Sequence, residues 1–405
     1  MRVLSVIPVL GAGGAEVVAS MLARDVRAQG HESVLASAGG FRVGALTAAG
    51  VRHHRVPLDS RRPRDLLRSV SALRRAFDDR PDLVHAHNVK AAAVARAAFG
   101  PSVPVLTTLH GVPASALAHS ARLLRASTDA VVAVSPYLAA QLEVYGVPAG
   151  SVHVVENAVE NPVESPVENA VASPAGASSR TRAAVRAALG IAEDEVVVLC
   201  AARLAKQKRH DLLVEAWPRV ADRAVLLLAG DGPTRGRVRA AVADAGLDGR
   251  VRLLGERSDV DRLLGAADLV VLPTDWEGLP ISVLEAMAAG VPVVVSRVGG
   301  VLETLGEAVR LVAPGSAAAL ADALAELVDD PHRRATLGAR GRELVQRRFA
   351  AERMLAGYRE QYDALLARRA PVAAPVAAAS VSGATPVAAR TVTAAPAAPT
   401  SGIAR

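Results

Sequence analysis

Short apolar runs alternate with helical patterns along most of this chain, and that alternation limits the fold more than any other feature. "RVLSVIPVL", "ESVLASA", "LVHAH", "VPVLTTLH" and "AVVAVS" follow one another in the first third of the sequence. A second series begins at "VVVLCAARL" and continues through "AVLLLAGDG", "VRLLG", "DLVVLPT", "VPVVVS" and "AVRLVAP". Runs this short and this rich in valine and leucine read as buried strands, and helices between them make the connections parallel crossovers. The expected class is α/β, with two Rossmann-like, doubly wound domains; 405 residues suffice for both cores. Between the series, "NAVENPVESPVENAVASPAGASS" repeats Pro-Val-Glu without apolar periodicity and reads as a flexible insertion. Residues 370–405 are Ala-, Pro- and Thr-rich, too poor in large apolar side chains for a core, and are expected to be disordered. The expected division is therefore 1–157, a linker over 158–180, a second domain over 181–348, and the tail.

Composition removes several function classes. Apolar residues make up 51% of the chain, yet no run reaches the 18 or so needed to cross a bilayer. The amino terminus, "MRVLSVIPVLGAGGAEVVA", has a short apolar part that contains Pro8 and flows into a helical pattern, so it reads as folded domain and not as a secretory signal. A cytoplasmic protein is expected. Its one cysteine, Cys200, excludes an internal disulfide and reads as a buried strand residue. The net charge of +7 is carried almost wholly by arginine, the only lysines being Lys90, Lys206 and Lys208. Few aromatics and no zinc-finger or RNP-like pattern argue against nucleic acid as a partner. Residues 52–80 hold nine arginines against four aspartates. Within them Leu66, Leu67, Val70, Leu73 and Phe77 recur at helical spacing, which reads as an amphipathic helix on its own sheet or as a peripheral membrane face.

Two loop-to-helix corners carry the chemistry. In "DWEGLPISVLEAMAAGVPVVVS" the turn at Gly278 leads through Leu279 to Pro280, read as the first helical residue, and Ile281, and Gly290 ends the helix. Glu285 is expected about two turns into that helix, with Glu277 in the preceding loop. A strand-to-helix corner of this kind lies at the carboxyl edge of a parallel sheet, where ligands bind and free N–H groups attract anions. Carboxylates beside an anion site make sense for a long ligand with a phosphate centre and hydroxyl-rich ends, the shape of a nucleotide sugar. In "ARLAKQKRHDLLVEAW", Arg203 and Lys208 lie on one connecting loop and can meet the same anion. "SDVD", before "RLLGAAD", reads as a helix cap by Ser258 or Asp259, not as a metal-binding Asp-x-Asp. His85 and His87 point to one face of a strand and His110 ends another, but no cysteine pair or carboxylate–histidine motif joins them, so no metal is expected.

Taken together these segments resemble the GT-B glycosyltransferases of the GT4 type, over residues 1–369. "AARLAKQKR" is similar to the family's G-x-R-L-x-x-x-K-G stretch, with Ala201 and Arg209 standing where glycines are usual. Glu277 and Glu285 match its E-x7-E motif, and "GAGGAE", "DLVHAHN", "TTLHG", "GDGP", "VGG" and "VHVVENAVE" fall in the family's order, with Ala158 in place of a common glycine. The resemblance implies two Rossmann-like domains facing a cleft, with helices over 349–369 crossing back to the first. It implies that Arg203 and Lys208 hold the donor diphosphate, that Glu277 and His110 lie at the donor sugar, and that Glu285 binds the ribose hydroxyls. Gly13 and Gly14 would form the loop under the donor, Gly278 to Ile281 the helix start beside it, and Arg257 the edge near the base. The implied reaction is a metal-independent, retaining transfer from a UDP- or GDP-linked sugar to a hydroxyl acceptor, which is a lipid, a polysaccharide or a small metabolite. A sugar-nucleotide epimerase of the same fold is the alternative. An NAD(P)-linked oxidoreductase fits less well, because the third glycine of G-x-G-x-x-G falls on Glu16.

Overall fold

Thirteen strands form two sheets that are parallel throughout in a computed structural model describing residues 1–60, 62–77, 79–160 and 175–368. Most of the expected Pro-Val-Glu insertion and the whole expected tail lie outside the described residues. The first sheet contains β1 (Arg2–Val6), β2 (Glu32–Ser37), β3 (Arg52–Arg55), β4 (Leu83–Ala86), β5 (Val105–Leu109), β6 (Ala130–Ala133) and β7 (Val152–Val154), in the order β3-β2-β1-β4-β5-β6-β7. The second contains β8 (Val196–Ala201), β9 (Ala224–Ala229), β10 (Val251–Gly255), β11 (Leu269–Leu272), β12 (Val293–Ser296) and β13 (Arg310–Val312), in the order β10-β9-β8-β11-β12-β13. Both are doubly wound sheets covered by helices, and the apolar runs become their central strands: every residue of β9 and β11 is buried. Cys200 is buried in β8, and its burial pushes the thiol up to about 12, so it is an inert packing residue.

Each sheet has one place where strand order reverses, and ligands bind outside the carboxyl ends there. In the first sheet it lies between β1 and β4, in the second between β8 and β11. Two long helices, Pro331–Arg348 and Ala351–Ala367, close the chain. The last returns to the first sheet, where Tyr358 and Tyr362 are fully buried and bond Thr108 and His85, and Arg359 forks onto Asp25. Arg348 grips Glu156 with two hydrogen bonds at the junction of the halves.

The basic segment divides differently from expectation. Its first residues form β3, an edge strand, and the helix runs over Pro63–Arg74. Leu66, Val70 and Leu73 pack toward the core with Phe77, but Leu67 is 73% exposed. With Arg64 and Arg68 beside it, Leu67 belongs to the outward face.

Candidate functional site

At the carboxyl end of β11 the loop Thr274–Gly278 is fastened from both sides. Thr274 N–H donates to Ser296 Oγ (2.9 Å) and its hydroxyl donates to Glu277 Oε1 (2.8 Å). Lys208 Nζ donates to the same Glu277 oxygen at 2.5 Å, and Gln207 Nε2 donates to Trp276 O (2.7 Å) and more weakly to Oε1 (3.4 Å). The Lys208 and Glu277 side chains are only 17% and 9% exposed, so water competes little for this charge-assisted bond. Glu277 Oε2 takes part in none of these bonds. Arg203, on the loop after β8, is exposed and makes no ion pair among the described residues. Its loop is held from below, where Leu204 N–H donates to Asp231 O and Thr234 N–H to Leu204 O, both at 3.0 Å.

The helix that follows Gly278 spans Ile281–Ala288, with Pro280 in the N-cap position instead of inside the first turn. Glu285 is its fifth residue, one turn in and not two. The carboxyl is pushed up to about 7 by burial, opposed by the Arg42 charge and reinforced by Asp261. No hydrogen bond or ion pair among the described residues holds it. Leu279, Pro280 and Ile281 are buried, and Leu279 O accepts a 2.7 Å bond from Asn157 of the first half.

The first half presents a different surface to this corner. Gly14 opens the helix Gly14–Ala28, and a Cβ there would sit 3.0 Å from Ile281 Cγ1. A Cβ on Gly278 would lie 2.4 Å from His110 O and 2.6 Å from Val134 Cγ2, so only glycine lets the two halves touch there. Behind this contact three histidines line up. His85 bonds Tyr362 Oη (2.8 Å) and Thr108 Oγ1 (2.7 Å), its ring centroid is 4.2 Å from that of His87, and His87 Nδ1 approaches His110 Nε2 at 3.4 Å. Burial drives all three toward the neutral form, His85 to about 3, His110 to about 4 and His87 well below its ordinary value. His87 Nε2 and His110 Nδ1 are buried without a partner. Among the described residues no cluster of three or more histidine, cysteine or acidic side chains is placed to hold a metal ion.

Lys208, Glu277, Gly278, Leu279, Pro280, Ile281, Gly14 and His110 thus converge, with Arg203 and Glu285 flanking them. Gly13 is covered instead: a Cβ there would meet Glu16 Oε2 at 2.2 Å, because the Glu16 carboxylate folds back over the loop. Burial raises the Glu16 pKa, against the charges of Arg203 and Arg42. Arg257 is drawn away from the cluster into a two-bond fork on Asp259, both bonds 2.7 Å. Asp259 does occupy the N-cap position of the helix Val260–Ala266, but with its oxygens on Arg257 it makes no cap bond. Several residues of the site carry no sequence signal. Arg42 reaches toward Glu285 and Glu16 from a loop after β2, and Thr274, Gln207 and Asn157 act through contacts between distant segments. Only the strand-end position of Thr274 was readable.

Residues 181–344 match the family of glycosyl transferases group 1, and residues 12–161 match Glycosyltransferase Family 4. The N-acetyl-alpha-D-glucosaminyl L-malate synthase of Bacillus anthracis is 27% identical over 370 residues, 86% of this chain and 93% of that protein. A GDP-mannose-dependent phosphatidylinositol monomannoside mannosyltransferase of Corynebacterium glutamicum is 39% identical over 43% of this chain and 48% of its own length. Among solved structures, Anabaena HepE in complex with UDP and glucose superposes with a TM-score of 0.75 at 22% identity, over 90% of this chain and 99% of HepE. WaaG, a lipopolysaccharide-biosynthesis glycosyltransferase, gives 0.71 at 18% identity over 90% of this chain and 99% of its own. At such identities the two structures speak for the fold, which is GT-B. With both halves matched in order by the family, this chain belongs to the group 1 glycosyltransferases of the family 4 type.

Proposed function

We propose that the protein is a retaining glycosyltransferase that moves a sugar from a UDP- or GDP-linked donor to a hydroxyl acceptor without calling on a metal. The observation that carries this reading is the Lys208–Glu277 pair at the carboxyl edge of β11, facing His110 across the glycine contact. In this reading Arg203, Lys208 and the N–H groups opening the helix Ile281–Ala288 meet the diphosphate. The free oxygen of Glu277 and the ring of His110 receive hydroxyls of the donor sugar, and Glu285 accepts from the ribose. Gly14 lines the floor, with Gly13 beneath the Glu16 carboxylate, Leu279 and Pro280 shape the helix start, and Arg257 reaches the base after releasing Asp259. Residues 1–157 then form the acceptor side and 181–348 the donor side, joined by 158–180 and by crossover helices over 349–369.

The acceptor oxygen forms its bond to the anomeric carbon on the face from which the diphosphate leaves, so configuration is retained. The bond from that carbon to the phosphate oxygen breaks, and the acceptor proton passes to the departing phosphate. Charge grows on that phosphate as the bond lengthens, so Arg203 and Lys208 count most in the transition state. HepE holds UDP and glucose, which favours a uridine nucleotide, while the Corynebacterium relative favours a guanosine one. The acceptors in the relatives' names are a small hydroxy acid and a lipid. For a lipid acceptor, the outward Arg55, Arg62, Arg64, Arg75 and Leu67 offer a basic, partly apolar face to an anionic membrane.

Thermal-shift and calorimetric titration with UDP, GDP, ADP and their sugars, in chelator, tests the reading. One nucleoside diphosphate is expected to stabilise the protein selectively, and Arg203→Ala and Glu285→Ala to abolish that effect. Binding of NAD(P) alone, or of no nucleotide, would overturn it.

A further inference from the structure

Arg209 stands where the family's stretch has glycine, and it is the only non-glycine residue with a positive φ among the described residues (φ 41°, ψ 43°). Its left-handed backbone links the turn Lys206–Lys208 to the helix His210–Ala216. Glycine adopts this conformation freely, whereas any other L-residue forfeits about 1 kcal/mol. Some gain therefore has to accompany arginine here.

The guanidinium supplies it. Nε and Nη2 donate to Asp211 at 3.0–3.2 Å, and Nη1 donates to Asp275 Oδ1 at 3.0 Å. Asp275 stands two residues before Glu277, and its N–H donates to Gln207 O at 2.9 Å. Arg209 therefore adds a side-chain tie between the loop that carries Lys208 and the loop that carries Glu277. Asp211 and Asp275 are 65% and 41% exposed, and ion pairs so open to water add little to stability. What arginine adds beyond offsetting the backbone strain is the tie between the two loops.

We infer that Arg209 is a positioning residue: it pins Asp275 so that Glu277 and Lys208 keep their register while donor enters and leaves. The inference rests on the donor roles proposed above for Lys208 and Glu277. A glycine at 209 keeps the backbone path and loses the tie.

The test uses the full chain and hydrolysis of whichever sugar nucleotide stabilises it most. Arg209→Gly and Asp275→Asn are each expected to lower kcat about tenfold, with KM for donor within about twofold and Tm within about 2 °C of the parent. The double variant should be no slower than either single one, because both remove the same tie. Arg209→Lys, which reaches Asp275 with one donor, should recover part of the loss. Unchanged kcat in Arg209→Gly, or losses that multiply in the double variant, would overturn the inference. Lys208→Ala separates the two levels: if it abolishes turnover while Arg209→Gly leaves kcat unchanged, only the positioning role falls. If Lys208→Ala is itself without effect, the donor-site reading falls and takes the positioning role with it.

Discussion

The two faces of the cleft reach one small volume by opposite means. The second-half face is charged and cross-linked: Glu277 is held by Lys208, Thr274 and Gln207, and Arg203 makes no ion pair among the described residues. The first-half face pressed against Gly278 is neutral: glycines, a backbone carbonyl, and three histidines that burial holds uncharged, while Arg42 and Glu16 face Glu285 and Arg203. A charged face can be built on a sheet edge because ion pairs and helix ends offset desolvation, while a neutral one can press its backbone close to a partner. On the proposed reading, electrostatic work falls mainly to one half and shape to the other.

The largest test of that contrast is Lys208→Ala, expected to cut kcat by about 10²–10³. Donor affinity, measured by calorimetry, should fall far less; an equal fall in both would mean uniform binding and break the division of labour. Next comes Gly278→Ala. The added methyl meets His110 O and Val134, and overpacking of this kind costs about 1–3 kcal/mol, read as a lower urea midpoint together with lost activity. An unchanged midpoint would show that the halves do not meet through this glycine.

The third test concerns pH on the charged face. Glu285 titrates at about 7 in the folded protein against an ordinary 4.5. Its contribution to apo stability is therefore full below about 4.5 and is lost as pH rises through about 7. On the proposed reading a ribose hydroxyl donates to the ionised carboxylate, so affinity for the preferred nucleotide should rise up to about tenfold from pH 6 to pH 8. Glu285→Gln should flatten that rise, apart from what the phosphate's own ionisation contributes to both proteins. The smallest effect lies on the neutral face, where the sign reverses. His110 has its pKa depressed from 6.5 to about 4, so its contribution is present above 6.5 and lost as pH falls through 4. The acid side of a Tm-versus-pH curve should be shallower in His110→Gln; an unaltered slope would mean that the pKa of His110 is the same in the folded and unfolded chain.

Which parts of this arrangement were legible beforehand follows from what sequence periodicity encodes. Buried central strands announce themselves through valine and leucine, so β8 to β13 were readable, as were the corners at Arg203 and Glu277. The strand β3, "RHHR", was not: an edge strand needs only backbone bonding to β2, and its side chains face water. The three-residue β7 is too short to carry a pattern. Leu67 fits a helical stripe in one dimension and lies outside it in three, because the stripe that packs is set by the neighbouring sheet. Residues that act by joining distant segments, such as Asn157 on Leu279 or Arg42 toward Glu285, leave no local trace, and neither does the fork of Arg257 on Asp259.

The seam between the halves near the site is a close one. Gly111 approaches Gly278 N and the Trp276 ring, and Gly278 approaches His110 O and Val134, so closely that neither accepts a Cβ without displacement. A joint built this closely depends on which residues stay glycine. First halves from other members of the fold should therefore be graftable onto this second half, provided the glycines are kept and the terminal helix travels with the sheet that its tyrosines and Arg359 grip. On the proposed division of roles, acceptor choice would be an exchangeable module, set against a donor platform that stays fixed.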